Sequence, residues 1–385
     1  MSSNNAVRRI CATPNLLTVE WLDGTVGEFD SLWLRDNCPQ DRDSHSGQRL
    51  LDIMDVPQDP KIRSAMLCDS VVTVEWQDEA RQVGFDLDWL ATQAGRSGVP
   101  EPGDEVRLWL EGAALEPSRE FAWRALPVLR EDASARAAWL ARLLQDGIAF
   151  VTGVPCNEPA VLDVAGMFGC VAQTNYGRTF DVRSVPQPEN LAYSDVGLGL
   201  HTDNPYREPV PGFQALHVLV ASPDGGDSLF ADGFALAERL RTSAPEAFRY
   251  LTQQPVPFRY RSKDAELYAE RPLIQLSHGG RVSAVHYNSR SIATLRPAAH
   301  DVRPFYAAYR QFAALLREPR HQARLRLAAG DLVVFDNQRI LHGRTAHSSA
   351  EHGRHLRGCY LTRDSVRSEA AVLHRRSHPR AGALQ

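Results

Sequence analysis

The sequence has no long apolar run and no N-terminal basic segment followed by an apolar core. A membrane-spanning helix needs about 20 consecutive, mostly apolar residues, and a secretory signal needs both of the missing N-terminal features. We therefore expect a soluble, cytoplasmic protein. Cysteine is also scarce: six residues are scattered without a CxxC pair. This excludes a disulfide scaffold and is typical of reduced thiols.

A strong charge of either sign is missing too. The formal net charge is -4 at pH 7, so the chain has no electrostatic footprint for nucleic acid or a membrane surface, and neither is an expected partner. Neither a GxGxxG nor a P-loop pattern occurs. The chain is 385 residues long, which is enough for two domains.

The first third of the chain contains an internal repeat. Leu17-Thr-Val-Glu-Trp21, followed by Phe29, returns as Val72-Thr-Val-Glu-Trp76, followed by Phe85. Each copy alternates apolar and polar residues around a polar turn, which predicts a β-hairpin. All seven tryptophans precede residue 140. We therefore predict a small β-rich N-terminal domain at residues 1–98, a linker at 99–118 and a larger domain at 119–385.

The larger domain shows short strand patterns with few helices between them. Ser134 is a candidate cap for a helix that runs to Gln145 and stops at Gly147. Mainly β structure with flanking helices favours an antiparallel sandwich or jelly roll. The other predicted elements are strands over 147–153, 214–220, 228–231, 281–287, 331–335 and 355–361, and helices over 159–168, 235–241, 245–251 and 303–316.

Two histidines and an aspartate form the most informative pattern. His201 and Asp203 follow a glycine-rich segment, as at a strand end that opens into a loop, and His342 follows an apolar strand. Residues i and i+2 of a strand share a face, so His201 and Asp203 point the same way. Two imidazoles and one carboxylate can occupy one face of Fe(II) and leave three positions open. HxD alone is a weak signal, and a surface histidine beside a turn aspartate is the alternative.

An arginine, Arg354, follows His342 along the chain. The segment from Arg354 to Tyr360 has the alternation of a strand, in which Arg354 and Tyr360 share one face and Arg357 lies on the other. Arg354 and Tyr360 can therefore project into one cavity, whereas Arg357 faces outward. An inward arginine can hold a carboxylate by a bidentate, charge-assisted contact.

Further motifs extend this pattern. They are Leu32-Trp-Leu-Arg-Asp-Asn-Cys38-Pro, Asn190-Leu-Ala-Tyr193, His201-Thr-Asp203, Gly225-Gly-Asp-Ser228, Asp232-Gly-Phe234, Phe335-Asp-Asn337 and Leu341-His-Gly-Arg344. Over nearly its whole length the chain resembles Fe(II)/2-oxoglutarate oxygenases of the γ-butyrobetaine hydroxylase and trimethyllysine dioxygenase branch, within the taurine dioxygenase superfamily. The fold that this resemblance implies is a double-stranded β-helix, or jelly roll, preceded by the small N-terminal domain.

The resemblance also implies site residues and a reaction. His201, Asp203 and His342 would bind iron, and Arg354 would bind the distal carboxylate of 2-oxoglutarate. The implied reaction consumes O2 and 2-oxoglutarate, releases succinate and CO2, and hydroxylates a C–H bond of the substrate. Members of this family often form homodimers, so we expect a homodimer.

An aromatic cage recognises the substrate in the resembled family. A quaternary ammonium group cannot donate hydrogen bonds and is instead attracted to aromatic faces. The matching positions are Tyr176, Phe180, Tyr193 and Tyr360. Phe180 stands where the γ-butyrobetaine enzymes often have tryptophan, which implies a somewhat weaker cage. Any single one of these rings could equally be ordinary core.

Polar residues would meet the anionic end of the substrate. Asn190 and Asn288 match the family's amide positions, and alternation puts His286, Asn288 and Arg290 on one face. An inward Arg290 would suit a phosphonate, but a solvent-exposed position at a strand edge is equally compatible. Two further candidates for the cavity mouth follow the metal aspartate, namely Asn204 and Tyr206.

The N-terminal module departs from the family at one point. Its relatives commonly hold zinc through several cysteines after the Asn-Cys-Pro motif and a distant histidine. Here Cys38 is followed by Gln40 and Asp43 where further thiolates are expected, and the distal position falls near Arg81. A single thiolate cannot make a closed four-coordinate site, so we predict no structural zinc.

The leading functional hypothesis is hydroxylation of a small trimethylammonium zwitterion, either γ-butyrobetaine or a phosphonate such as 2-(trimethylammonio)ethylphosphonate. Arg290 and the missing zinc ligands favour a substrate other than γ-butyrobetaine. Trimethyllysine is less favoured, because its α-amino group would need an acidic partner. A taurine-like sulfonate dioxygenase would not need the cage. A non-catalytic jelly roll that only binds a ligand would not need an open iron face.

Overall fold

The computed structural model describes residues 6–77, 79, 81–95, 105–111, 120–183, 196–295, 299–347 and 354–377. The chain separates into two compact units, with the division between Glu101 and Pro102. Most of the predicted linker lies outside the described residues, so the boundaries at 98 and 118 stay predictions. None of the helices in the described ranges has the length and apolar character to span a membrane.

The N-terminal unit repeats one motif of three antiparallel strands and a short helix. The first copy consists of β1 (Val7–Thr13), β2 (Leu16–Trp21), β3 (Val26–Asp30) and α1 (Ser31–Asp36), and the second of β4 (Ile62–Cys68), β5 (Val71–Trp76), β6 (Gln82–Asp86) and α2 (Leu87–Gln93). The two predicted hairpins are confirmed as β2–β3 and β5–β6. Trp21 and Trp76 are buried at matching positions, so the sequence repeat reflects a repeated core.

An ion-pair cluster surrounds Cys38 in this unit. The Arg81 guanidinium donates to Cys38 Sγ at 3.2 Å and pairs with Asp41 at 2.7 Å. Arg35 pairs with Asp41 at 2.6 Å and with Glu79 at 2.7 Å. A cation thus lies beside the one thiolate candidate, where a metal site would need another ligand. This contact supports the absence of zinc, which stays a prediction.

The second unit is built on two β-sheets. Its strands are β7 (Ala122–Ala125), β8 (Ile148–Thr152), β9 (Val171–Ala172), β10 (Phe180–Arg183), β11 (Leu198–His201), β12 (Phe213–Val220), β13 (Ser228–Asp232), β14 (Val256–Arg261), β15 (Glu266–Arg271), β16 (Ile274–Leu276), β17 (Val282–Val285), β18 (Ala323–Leu325), β19 (Leu332–Asp336), β20 (Ile340–Arg344) and β21 (His355–Leu361). The larger sheet has the order β10-β21-β12-β19-β8-β7, with β9 beside β21, and the smaller sheet has the order β11-β20-β13-β18.

A shared aromatic core lies between these two sheets. Phe150 and Phe335 of the larger sheet contact Phe230 of the smaller sheet, with ring centroids 6.4 and 5.7 Å apart. Strand neighbours run antiparallel around the core, and β7 and β8 form a parallel pair. The predicted jelly roll with a separate β-rich N-terminal unit is therefore confirmed.

Helices flank the sheets of the second unit. They are α3 (Leu126–Glu131), α4 (Ala133–Asp146), α5 (Ala160–Ala165), α6 (Gly233–Ser243), α7 (Pro245–Gln253), α8 (Ala299–Arg317) and α9 (Arg363–Ser377). As predicted, α4 ends at Gly147, whose φ of 78° is left-handed. The predicted cap is wrong, because Asp132 caps α4 and accepts from the Ser134 N–H at 2.8 Å. Ser134 already lies inside the first turn of α4, whereas the N-cap residue must precede the helix.

The other predicted elements are present, most of them with displaced ends; the strand over 355–361 has the predicted bounds. The predicted helix over 159–168 is shorter, at Ala160–Ala165, and the predicted strand over 281–287 is Val282–Val285. The hairpin β14–β15 was not predicted. Its omission matters, because this hairpin contributes residues to the cavity described below.

A buried ion pair joins the end of β13 to the turn between β19 and β20. Asp232 caps α6 by accepting from the Phe234 N–H at 3.0 Å. Arg339 donates to Asp232 at 2.7 Å, and the two side chains are 2% and 0% exposed. Arg339 also donates to the backbone carbonyls of Gln145 and Arg107. A single guanidinium therefore satisfies groups from three other segments of the chain.

Replacing Arg339 by methionine should strongly destabilise the fold, because the Asp232 carboxylate would stay buried without its partner. Breaking such a pair from one side costs about 3–5 kcal/mol. Equilibrium urea denaturation measures the loss. The control is Arg320→Met at an exposed site, which removes the same charge and should change the free energy of unfolding by about 0.5 kcal/mol or less. Equal effects of the two substitutions would contradict this account.

Candidate active site

His201 and His342 face each other on neighbouring strands. His201 ends β11 and lies opposite His342 of β20, which places the ring centroids 4.3 Å apart. Asp203 follows just after β11 has ended. One nitrogen of each imidazole and one carboxylate oxygen lie within 4.8 Å of one another. The structure thus brings together the three residues that the sequence predicts as metal ligands.

Hydrogen bonding determines which nitrogen of His201 is available. His201 Nδ1 lies 2.9 Å from the Gly199 carbonyl oxygen, which can only accept, so Nδ1 carries the proton and Nε2 keeps its lone pair. His201 Nε2 is 3.2 Å from Asp203 Oδ1, and His342 Nε2 is 3.8 Å from Asp203 Oδ2. Phe335 packs on the His342 ring at 4.7 Å. The three donor atoms therefore converge on one point.

The protonation states suit metal binding. Burial lowers the pKa of His342 to about 3, and His201 acts in the same direction. Burial by itself would raise the pKa of Asp203, but the adjacent His201 and His342 imidazoles and the Tyr360 hydroxyl outweigh it and hold this pKa well below its usual range. A neutral imidazole and an ionised carboxylate are the forms that ligate a divalent metal.

This donor set fits a ferrous ion. Two imidazole nitrogens and one carboxylate on one face are typical of non-haem Fe(II) oxygenases, in which the remaining positions stay open. A structural zinc site instead closes with four protein ligands. No fourth His, Cys, Asp or Glu joins the group within the described ranges. The residues present therefore match an open, reactive centre.

A cavity of about 440 Å³ opens beside these three residues. Its other lining residues are Tyr176, Phe180, Val182, Leu198, Asn204, Tyr206, Gln214, Leu216, Ser228, Phe230, Arg259, Tyr260, Arg261, Asn288, Arg290, Ser291, Gly343, Arg344, Arg354, Leu356 and Tyr360. Among all the described residues that line the cavity, the cationic side chains are all arginines, and Asp203 supplies the one carboxylate. The balance of charge favours anionic occupants.

Arg354 lies buried in the cavity wall, as the sequence predicts. It is 7% exposed and has no hydrogen bond or ion pair with any residue in the described part of the chain. Burial lowers the pKa of Arg354 to about 10, with Arg344 adding to the effect, so Arg354 remains charged at neutral pH. Gly226 makes room for it, since a Cβ there would lie 2.9 Å from Arg354 Cδ. A buried cation without a partner is unfavourable, and an incoming carboxylate would relieve that cost.

Aromatic rings form another part of the wall. Phe180 of β10 packs against Tyr360 of β21, with centroids 4.9 Å apart. Gly358 permits this contact, because a Cβ there would lie 2.5 Å from the Phe180 ring. Tyr176 meets Tyr260 edge-on at 5.9 Å. Three of the four predicted cage residues thus line the cavity, and the fourth, Tyr193, lies outside the described residues.

Some lining residues were missed at the sequence level. Tyr260 comes from the unpredicted hairpin β14–β15 and stacks on Tyr206 at 5.3 Å. The alternation of apolar and basic residues over Val256–Arg261 could have revealed it. Gln214 is 2% exposed and lines the cavity, but nothing in the sequence distinguishes it from other strand residues. Tyr206 lines the cavity, as predicted.

The predicted polar residues differ in how they are engaged. Asn288 donates from Nδ2 to the Thr202 carbonyl at 3.0 Å, and its Oδ1 has no partner among the described residues. Arg290 lines the cavity from an exposed position. Asn204 also lines it, with both ends of its amide hydrogen-bonded to phenols. The predicted Asn190 lies outside the described residues.

Two orientation predictions have opposite outcomes. His286 was predicted on the same face as Asn288, but it is 1% exposed and lies 3.2 Å from Gln275 Oε1, away from the cavity lining. The reason is that β17 ends at Val285, so strand alternation does not continue through His286. Arg357 faces away from the cavity, as predicted, and pairs with Asp181.

Comparison with known proteins agrees with the geometry. Residues 117–360 match the taurine catabolism dioxygenase TauD, TfdA family, and residues 9–91 match the γ-butyrobetaine hydroxylase-like N-terminal family. A γ-butyrobetaine dioxygenase of Pseudomonas sp. (strain AK-1) is 34% identical over 93% of this chain and 94% of its own. The Homo sapiens γ-butyrobetaine dioxygenase is 30% identical over 94% and 95%. The mitochondrial trimethyllysine dioxygenase of Rattus norvegicus is 31% identical over 91% and 83%.

Fold, ligand set and similarity together define an Fe(II)- and 2-oxoglutarate-dependent dioxygenase. This class uses 2-oxoglutarate and O2 as co-substrates. The chain belongs to the TauD, TfdA dioxygenase family, in the group of γ-butyrobetaine and trimethyllysine dioxygenases.

Mn(II) should raise the thermal unfolding temperature, because a ligand that binds only the folded state stabilises it by about 2.7 kcal/mol at a hundredfold excess over Kd. His342→Ala removes one of three donors, so the shift should vanish. His278→Ala is the control, because His278 is exposed and not part of the cavity lining, and it should keep the full shift. A full shift in His342→Ala would refute the proposed metal site.

Proposed function

We propose that this dioxygenase hydroxylates a small zwitterion with a trimethylammonium group at one end and an anion at the other. The observation that carries the proposal is that aromatic rings and arginines line the same cavity as His201, Asp203 and His342. The relatives are named for γ-butyrobetaine and trimethyllysine, which are both trimethylammonium compounds. Their names support the cationic end of the proposed substrate.

The three converging side chains hold Fe(II), and Arg354 binds the distal carboxylate of 2-oxoglutarate. The buried Arg354 guanidinium presents several donors in a fixed plane, which suits a bidentate contact with a carboxylate. Apolar lining residues such as Leu216 and Leu356 limit water around the reacting groups. When bound, Fe(II) and 2-oxoglutarate would activate O2 for C–H hydroxylation, with one oxygen atom going to the product and the other to succinate, and with release of CO2.

The cationic end of the substrate meets ring faces. Tyr176, Phe180 and Tyr360 line the cavity, and Tyr260 extends this wall. Each ring face attracts a cation by about 0.5–2 kcal/mol, more where water is excluded. Tyr193 remains a predicted fourth member of the cage. Such a wall needs no donor or acceptor from the substrate, as a quaternary ammonium requires.

The anionic end meets Arg290 and Asn288. Asn288 Nδ2 already donates to a backbone carbonyl, so Arg290 is the donor free to bind an anion. Arg290 has no hydrogen bond or ion pair with any residue that the structure describes. A guanidinium matches the oxygens of a phosphonate in two parallel hydrogen bonds. We therefore favour 2-(trimethylammonio)ethylphosphonate, with γ-butyrobetaine as the second candidate.

Other substrates fit the cavity less well. The α-amino group of trimethyllysine would need an acidic partner, and Asp203, the one carboxylate among the described lining residues, is assigned to the metal. A sulfonate such as taurine would leave the aromatic wall without a role. The expected homodimer and cytoplasmic location stay predictions.

The direct test is a panel of quaternary amines with carboxylate or phosphonate head groups and equal chain length. Succinate release and product formation are measured together for each compound. We expect coupled turnover for a trimethylammonium phosphonate and weaker turnover for the matched carboxylate. Succinate release without product for every member would show that the proposed substrate class is wrong.

Arg290→Met should raise the KM for the best substrate about 10- to 100-fold, because a hydrogen bond to a charged group contributes about 1.5–3 kcal/mol. The KM for 2-oxoglutarate should stay the same, since Arg354 is untouched. Arg310→Met on α8 removes the same charge from an exposed position that does not line the cavity and serves as control. An unchanged substrate KM in Arg290→Met would remove Arg290 from the anion site.

A further inference from the structure

Asp203 is fixed at both its backbone and its side chain. The Asn337 amide accepts from the Asp203 N–H at 2.7 Å and donates to the Asp203 carbonyl at 3.0 Å. Tyr360 donates its hydroxyl proton to Asp203 Oδ2 at 2.8 Å. Asn337 is 0% and Tyr360 4% exposed. Two buried side chains from different segments therefore determine where the carboxylate lies.

The Tyr360 hydroxyl is itself held by a chain of hydrogen bonds. Asn204 Nδ2 donates to the Tyr360 oxygen at 3.1 Å, and Asn204 Oδ1 accepts from the Tyr206 hydroxyl at 2.6 Å. Because the Tyr360 oxygen accepts from Asn204, its own proton is directed to Asp203. Asn204 and Tyr206 are 7% and 6% exposed, and a buried network of this kind is rigid when each member is satisfied.

The backbone at Asn204 is specialised for this contact. Its φ of 54° is left-handed, a conformation that asparagine tolerates better than most residues. This turn directly after Asp203 directs the Asn204 amide between the two phenols. Asn204 therefore suits the hydrogen-bond network with Tyr360 and Tyr206, in addition to any contact that it makes with substrate.

The chain of hydrogen bonds reaches the aromatic wall. Tyr206 stacks on Tyr260, and burial together with the neighbouring Tyr206 phenol raises the pKa of Tyr176 well above its usual range. The ring of Tyr360 packs on Phe180 in the same wall. Tyr360 therefore has two separable parts, a ring that faces the cavity and a hydroxyl that contacts the metal-ligand carboxylate.

We infer that Tyr360 is a positioning residue for the Asp203 carboxylate, and that Asn204 and Tyr206 hold its hydroxyl in place. The inference rests on the proposed metal site. Hydrogen bonds to a ligating side chain orient it and raise metal affinity, and their removal typically weakens binding about 10- to 100-fold. The contacts with Asp203 Oδ2 and with the Asp203 backbone restrict how the carboxylate can turn toward His201 and His342.

The test uses Tyr360→Phe, which keeps the ring and removes the hydroxyl. Anaerobic titration of the full-length protein with Co(II) gives the metal affinity, and the visible spectrum of bound Co(II) reports its coordination. We expect Tyr360→Phe to bind Co(II) about 10- to 100-fold more weakly, with an altered spectrum. Tyr309→Phe is the matched control, because the Tyr309 phenol pairs with Tyr287 and is not part of the cavity lining. It should bind within twofold of the native protein.

A second variant covers the case in which Tyr360→Phe does not fold. Tyr206→Phe removes the hydroxyl at the far end of the hydrogen-bond chain and does not alter any direct contact with Asp203. We therefore expect a smaller loss of Co(II) affinity, about three- to tenfold, and a spectral change in the same direction. Native affinity and spectrum in Tyr360→Phe, or in Tyr206→Phe if that variant alone folds, would overturn the inference. Failure of the native protein to bind Co(II) would instead overturn the proposed metal site.

Discussion

The convergence of His201, Asp203 and His342 is the constraint on which the rest of the structure depends. It requires one register between β11 and β20, in which the two histidines lie opposite each other, and a sharp turn just after Asp203. A slip of one residue would send a histidine to the other face of the sheet. The jelly roll makes this register possible, because its aromatic core fixes the smaller sheet against the larger one.

The cavity wall around the three metal-ligand candidates combines arginine side chains with aromatic rings. Arg354 and Arg290 line the cavity without partners among the described residues, and aromatic rings supply much of the remaining wall. We propose that this combination serves two anions and one cation that cannot donate hydrogen bonds. A dicarboxylate co-substrate and a trimethylammonium zwitterion meet those requirements together, so one cavity can hold both beside the metal ligands.

Much of this site could be predicted from local sequence patterns. His201 and Asp203 are close in the chain, and strand alternation placed Arg354 and Tyr360 on one face. The contacts that position Asp203 could not be predicted in this way, because Asn337 and Tyr360 reach it from separate segments. Tyr260 was missed because its hairpin was missed, and the direction of His286 was wrong because its strand ends early. Alternation is informative only as far as the strand continues.

The most direct test of the account is anaerobic addition of Fe(II) and 2-oxoglutarate, followed by visible spectroscopy. A 2-oxo acid that chelates a ferrous ion held by these three side chains should give a weak charge-transfer band, which a trimethylammonium phosphonate should then perturb by entering the same cavity. No band with both additions would contradict the central claim that the three residues form an open iron site served by Arg354.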